Sequence, residues 1–456
     1  MSLRLRAGWV VPAAGEPIRD GEIVVEDQRI VEVRPAPVKG EPVSDARDFG
    51  DAVLMPGLVN VHSHIDYTVM RGLLEDLPFF DWIRELTARK AALTEADWIA
   101  SATMGAAEAV AGGVTAIGDC TDSGAALLGA KALGLRGIVY QEAFSVPDTP
   151  SVEDVVADLK MRIAALRWSA SGTRLKIGIS PHAPYTVQPS AFRALAEYAR
   201  AEKLPVCIHA AESLAEAQLI RDGRGTIADR FAERGITWHL PHSGMTSVNY
   251  LDSLGALGPH VMLVHGVQIA ADDREIIRRH GLSWAHCPKS NAKLGNGVAP
   301  LGLLRECYPE GGMRVGLGSD SVASNNTMDL FEEMRFTVLA QRTRSRRYDA
   351  MTAREALHLA TIGGARALGM ENEVGSLEPG KQADIIAVRT DGLATAPCHD
   401  PYSALVYAAS ARDVRMTMIA GSVVNEHGRF FTTHLGPARH RFNKAAAKIR
   451  AWSLAS

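Results

Sequence analysis

Long apolar runs are missing from this 456-residue chain. No stretch of about eighteen apolar residues occurs, so no segment reads as a membrane-spanning helix. Cysteine is scarce: Cys120, Cys207, Cys287, Cys307 and Cys398 are odd in number, scattered, and form no CxxC pair. That pattern suggests neither a disulfide framework nor a cysteine zinc site, and points to reduced, mostly buried thiols. A surplus of one charge is also missing, the formal net charge being -3. No basic patch or polybasic anchor results, which argues against nucleic acid and membranes as partners. The N-terminal MSLRLRAGWVVPAAGEP is too short and polar for a signal peptide, so a cytoplasmic location is expected. No internal repeat or low-complexity tract stands out.

What the chain does contain is 46% apolar residues, enough for one large domain and a smaller one. Residues 1–56 carry short β-rich segments separated by Gly, Asp and Pro, and predict a small antiparallel unit. From residue 57 to 370 apolar strands alternate with amphipathic segments such as SAFRALAEYARAEK. The strands read GLVNVHSH, GVTAIGD, GIVYQEAF, LKIGISPH, LPVCIHAAE, HVMLVHG, LSWAHCP and RVGLGSD. Eight βα units predict a (β/α)8 barrel of the α/β class. Residues 371–435 return to short strands that complete the unit begun by the N-terminus as a β-sandwich, and 436–456 read as a C-terminal helix.

In LMPGLVNVHSHID, His62 and His64 are spaced to face one side of an extended strand. Paired neutral imidazoles suit a first-row metal, although a lone HxH is a weak signal and a solvated polar strand end is its simpler alternative. The remaining polar residues weigh against that simpler reading. His182, His209 with Glu212, His265 and Asp320 each fall at the C-terminal end of a further predicted strand, where barrel enzymes build their sites. A metal held by His62, His64, His209 and Asp320, with one position open for water, explains them together.

PGLVNVHSHID, GVTAIGD, SPHAPYT, CIHAAES, LVHG, HCPKSNAKLGNG, LGSDSVASNN and GSLEPGKQADIIAV together resemble the amidohydrolase superfamily, in its branch of mononuclear metal-dependent deaminases and chlorohydrolases. The resemblance spans nearly the whole chain. It implies the barrel, a β-sandwich from both termini, the same four ligands, and one divalent ion, zinc first and iron as the alternative. No persuasive lysine for a binuclear centre is seen.

The expected chemistry is attack of hydroxide on an electron-poor ring carbon bearing an amino group, followed by loss of ammonia. His265 and Asp320 would hold and orient the water. Glu212, in the H-x-x-E motif, would carry the protons, its structural alternative being a helix N-terminal acid. His182 would contact the substrate, with Ser324 lining the pocket. LEDLPFFDWI resembles the nucleoside deaminases and makes Trp82 a pocket wall. Where methylthioadenosine deaminases carry a ribose-binding glutamate this chain offers Lys90 or a neighbour, and where they carry an arginine it has Gln141 or Glu142. In a Tyr/Phe-Glu pattern at that point, VNYLDSLGAL and SDSVAS the chain resembles the aminodeoxyfutalosine deaminases, a resemblance that implies 6-amino-6-deoxyfutalosine, a menaquinone-pathway nucleoside, ahead of 5′-methylthioadenosine or S-adenosylhomocysteine. A triazine-type chlorohydrolase and a metal-free scaffold are the readings from other classes. The expected partner is a small-molecule substrate, and a homodimer is compatible with the sequence.

Overall fold

The computed structural model describes residues 2–36, 46–145, 151–236, 244–309 and 312–452. Its barrel sheet has eight parallel strands in sequence order: Leu58–Ser63, Val114–Thr121, Arg136–Ala143, Leu175–Pro181, Val206–Ala210, Val261–His265, Ser283–His286 and Val315–Leu317. These are the eight apolar runs read from the sequence. Buried on both faces, parallel strands read as continuous apolar stretches. The nearly closed ring is joined through Asp320, whose N–H donates to the His62 carbonyl at 2.9 Å and which bridges Ser63 in parallel register. The floor of the barrel is packed with Val59, Val61, Ile138, Tyr140, Met262 and Val264. Such a barrel is a filled core, and its open chemistry lies at the C-terminal rim.

The helical layer follows from amphipathic spacing. In Pro189–Ala201 the first residue is proline, tolerated where a helix start leaves its N–H unused, and Phe192, Leu195 and Ala199 fall on the buried face.

A second, mixed sheet of nine strands draws on both ends of the chain. Ser2–Val10 pairs antiparallel with Ile18–Glu26, opposing Leu5 to Ile23, as expected. The N-terminal unit is not purely antiparallel, however, because Ser2–Val10 runs parallel to Ala46–Asp48 and Ala52–Pro56. Two reversals, through Ile18–Glu26 and Arg29–Pro35, restore the direction of the first strand. The chain then pairs on that strand's other edge in the same direction. Ile385–Arg389 from the C-terminal region adds antiparallel to Ala52–Pro56, so the two termini share one sheet.

The terminal helix Gly436–Ala451 is tied to the helix Glu95–Ala111 through buried Asp97, which meets Arg441 at 2.6 Å and Lys448 at 2.7 Å. Residues 453–456 of the expected helix lie outside the described residues. No helix among the described residues is long and apolar enough to cross a membrane.

Candidate active site

His62 is the penultimate residue of the first barrel strand, but His64 lies just beyond it, preceding a short 3-10 turn from Ile65 to Met70. The strand carries register irregularities against its neighbour, so strict alternation is not what aligns the two rings. They still meet, with centroids 4.9 Å apart. His209, from the fifth strand, stands 4.8 Å from His62 and 5.6 Å from His64. His265, from the sixth, stands 5.5 Å from His209. Asp320 lies 3.4 Å from His62 Nε2 and 3.5 Å from His64 Nε2 through its Oδ1. Ala211, His265 and Asp320 take positive φ angles of 53°, 76° and 57° at these strand ends. Non-glycine residues held there are a recurrent feature of functional sites.

The electrostatics suit a cation. Burial holds His64 and His209 well below the usual imidazole range, and His265 at about 4, so these rings are neutral with lone pairs available. Burial opposes charge on His62 as well, but Asp320 outweighs it and holds that imidazole up at about 10. The site therefore favours positive charge beside Asp320, in the place a divalent ion would take. His62 Nε2 is buried without a hydrogen-bond partner among the described residues, close to Asp320 but not aligned with it. Ligand atoms of His62, His64 and Asp320, and of His62, His209 and His265, fall within 4.8 Å of one another. By donor type and mutual distance these residues fit a divalent metal.

Further contacts fix the orientation of the cluster. His209 Nδ1 is 3.0 Å from the His182 carbonyl oxygen, and His265 Nδ1 is 2.9 Å from Asn291 Oδ1, so both rings are left with Nε2 for the site. Asp320 Oδ2 accepts from the Ser290 hydroxyl at 2.5 Å and the Ser324 hydroxyl at 3.1 Å. Glu212 is buried 3.8 Å from His265 Nε2, and its Oε1 accepts from Asn296 Nδ2 at 3.2 Å. Burial, with Asp320 and Glu216 adding to it, pushes the Glu212 carboxyl well above its usual range. Glu216 in turn accepts from the backbone N–H groups of Ala211 and Glu212 at 2.8 and 2.9 Å.

A cavity of about 880 Å³ opens from this cluster. Trp82 lines it from the helix Phe79–Lys90, and His64, His182, His209, Glu212, His265 and Asp320 lie on its surface. Glu142 also faces it, 3.9 Å from His182 Nε2, its carboxyl held up at about 8 by burial against the opposing pull of Lys90. Lys90 pairs with Asp122 at 3.3 Å and stands over the Tyr67 ring at 4.9 Å. Two expected substrate contacts are placed elsewhere. Gln141 is buried outside the cavity lining, its carboxamide donating to the Thr121 and Asp122 carbonyls at 2.8 and 3.0 Å. Ser324 sits behind Asp320 as one of its donors and is not part of the lining. Sequence reasoning missed Tyr67, stacked on His64 at 5.5 Å, and the supporting residues Asn291, Asn296 and Glu216. Asn291 and Asn296 lie within HCPKSNAKLGNG, where two carboxamides near a histidine were the available signal.

Residues 53–424 match the amidohydrolase family. A 5-methylthioadenosine/S-adenosylhomocysteine deaminase of Syntrophobacter fumaroxidans is 33% identical over 406 residues, 88% of this chain and 87% of its own. A 5'-deoxyadenosine deaminase of Methanosarcina mazei is 32% identical over 96% of this chain and 95% of its own. An adenosine deaminase structure from Xanthomonas campestris with bound zinc superposes with a TM-score of 0.83 at 28% identity, covering 99% of both chains. The chain belongs to the amidohydrolase family. Within it, this protein is a hydrolase of carbon–nitrogen bonds of the deaminase type.

Proposed function

We propose that the chain hydrolytically deaminates an adenosine nucleoside carrying an apolar substituent at its 5′ carbon, using one zinc ion held by His62, His64, His209 and Asp320. Iron is the alternative metal for the same donors. The observation that carries the substrate reading is the cavity wall: beyond the histidine cluster it is built from Phe79, Phe80, Trp82, Phe144, Tyr185 and Phe231. Flat apolar walls suit a purine and an apolar appendage. The names of the two curated relatives include 5-methylthioadenosine and 5'-deoxyadenosine, which supports the same reading. So does the charge at the mouth. Arg84 and Arg230 meet Asp81 at 3.6 and 3.2 Å, and Lys90 meets Asp122, so these cations already face carboxylates. That weighs against the aryl carboxylate of 6-amino-6-deoxyfutalosine, the nucleoside the sequence motifs favoured.

A divalent ion bound there supplies Lewis acidity that makes hydroxide available from water near neutral pH. Asp320 and His265 orient the nucleophile: Asp320 accepts a proton at Oδ1, and His265 is fixed by Asn291. Glu212, protonated by virtue of its burial, donates to a ring nitrogen of the purine. The proton that Asp320 took from the water then passes to the departing amine as ammonia leaves, and the new hydroxyl returns its proton to Glu212, leaving the ring N–H in the product. His182 and Glu142 hold the sugar side of the substrate, and the Trp82 wall excludes water.

The test is kcat/KM for ammonia release from 5′-deoxyadenosine, 5′-methylthioadenosine, S-adenosylhomocysteine, adenosine and 6-amino-6-deoxyfutalosine. The first two should exceed adenosine and 6-amino-6-deoxyfutalosine by at least tenfold. Equal use of adenosine removes the 5′ argument, a lead for 6-amino-6-deoxyfutalosine reinstates the motif-based choice, and no ammonia from any of them ends the nucleoside reading.

A further inference from the structure

His62 has two edges, and only Nε2 faces the histidine–aspartate cluster. On the other edge, Nδ1 lies 3.8 Å from Cys120 Sγ, contributed by the second barrel strand. Cys207, from the fifth strand, joins them: the ligand atoms of His62, Cys120 and Cys207 all lie within 4.8 Å of one another, and all three residues are fully buried. Strands two and five are not neighbours in the sheet, so the two thiols meet across the barrel interior beneath the site.

The spacing is that of a coordination shell. Metal–sulfur and metal–nitrogen bonds of about 2.3 and 2.0–2.1 Å separate sulfur from nitrogen by about 3.6 Å at a tetrahedral angle and about 3.8 Å at a trigonal one. The observed separation of 3.8 Å matches the trigonal case. Charge is offset too, because two thiolates match the two charges of a divalent cation in an apolar core, and the imidazolate of His62 is shared with the ion on its other edge. Soft thiolate ligands select soft cations.

We propose that His62, Cys120 and Cys207 form a second metal site, for a thiophilic divalent cation, directly beneath the catalytic cluster and sharing His62 with it. Loading forms two metal–sulfur bonds and one metal–nitrogen bond and releases three protons to solvent, one from each thiol and one from the His62 ring, whose other nitrogen is held by the catalytic ion. His62 then bridges two ions through its two nitrogens.

Cadmium, which shows a thiolate-to-metal absorption band, is the probe. The full-length chain is stripped with a chelator, titrated with cadmium, desalted and analysed for bound metal and absorbance. The wild-type chain should retain two cadmium ions, one of them accompanied by the thiolate band. Cys207→Ser should retain one ion and lose the band, while a Cys307→Ser/Cys398→Ser double variant keeps both. Circular dichroism checks folding, and Cys120→Ser replaces Cys207→Ser if the latter does not fold. Retention of a single ion by the wild type, a second ion without the band, or a band that survives in the folded Cys207→Ser or Cys120→Ser chain overturns the proposal. Should neither variant fold, the wild-type stoichiometry, the band and its persistence in the double variant decide the question.

Discussion

At the N-terminal end of the barrel, Arg136 begins the third strand and meets Asp384 of the terminal sheet. Its Nε and Nη2 each donate to the carboxylate at 2.7 Å, and Asp384 also accepts the Ala420 N–H at 2.8 Å. At the C-terminal end, His62 Nε2, His64 Nδ1 and Glu142 Oε1 are just as buried and have no hydrogen-bond partner among the described residues. Buried polar groups in a folded protein are normally paired, since leaving one open costs about 1–3 kcal/mol. The Arg136–Asp384 pair at one end of the barrel is given to stability, and the three open groups at the other are left for something that binds. At the mouth His265 and Asp320 hold positive φ angles. Gly318, just before Asp320, could carry no side chain there, because a Cβ would stand 2.8 Å from His62 Cβ.

The contrast predicts that substitutions at the mouth change chemistry and those at the floor change stability. The largest effect is expected for Glu212→Gln, which keeps the Asn296 hydrogen bond but cannot carry a proton. Its kcat should fall by about 10²–10⁴ with metal content unchanged; steady-state ammonia release with metal analysis checks this. Normal turnover would return Glu212 to the structural role of a helix-terminal acid. Asp384→Ala should do the reverse. It removes the bidentate partner of buried Arg136, leaving Glu373 at 3.5 Å from Nη1, and should lower unfolding stability by about 3 kcal/mol, read from denaturant curves, while the folded fraction keeps its metal and turnover.

The smallest effect concerns pH. Glu333 is fully buried, accepts from Asn325 Nδ2 at 2.6 Å, and is held up at about 8 by burial against the opposing influence of Lys289. Between its unfolded value of 4.5 and that folded value, the folded state holds a proton that the unfolded state has lost. Stability from this group is therefore fully present below pH 4.5 and declines toward pH 8, at up to about 1.4 kcal/mol per unit. Glu333→Gln should remove that decline, so the melting temperatures of variant and wild type should converge or cross as pH rises from 5 to 8. Parallel curves would mean that Glu333 is ionised throughout.

The eight strands were legible because parallel strands buried on both faces leave long apolar runs, and the site because histidines and carboxylates end those runs. The rest of the site was less legible. Gln141 and Glu142 are adjacent, so only one could face inward; Ile138 and Tyr140 pack in the barrel interior while Val139 packs in the outer core. Continuing that alternation selects Glu142, a step the sequence permitted. Ser324 could not be separated from a pocket residue without knowing that Asp320 stands between it and the cavity. The union of Asp97 with Arg441 and Lys448 spans some 344 residues, and no local pattern announces it.

The claim that the mouth is a metal centre is tested most directly by metal content. In the chain purified without added metal, His209→Ala removes one of four proposed ligands and should sharply lower both the bound divalent ion and ammonia release relative to wild type. Full metal content together with full turnover in the folded variant would contradict the account.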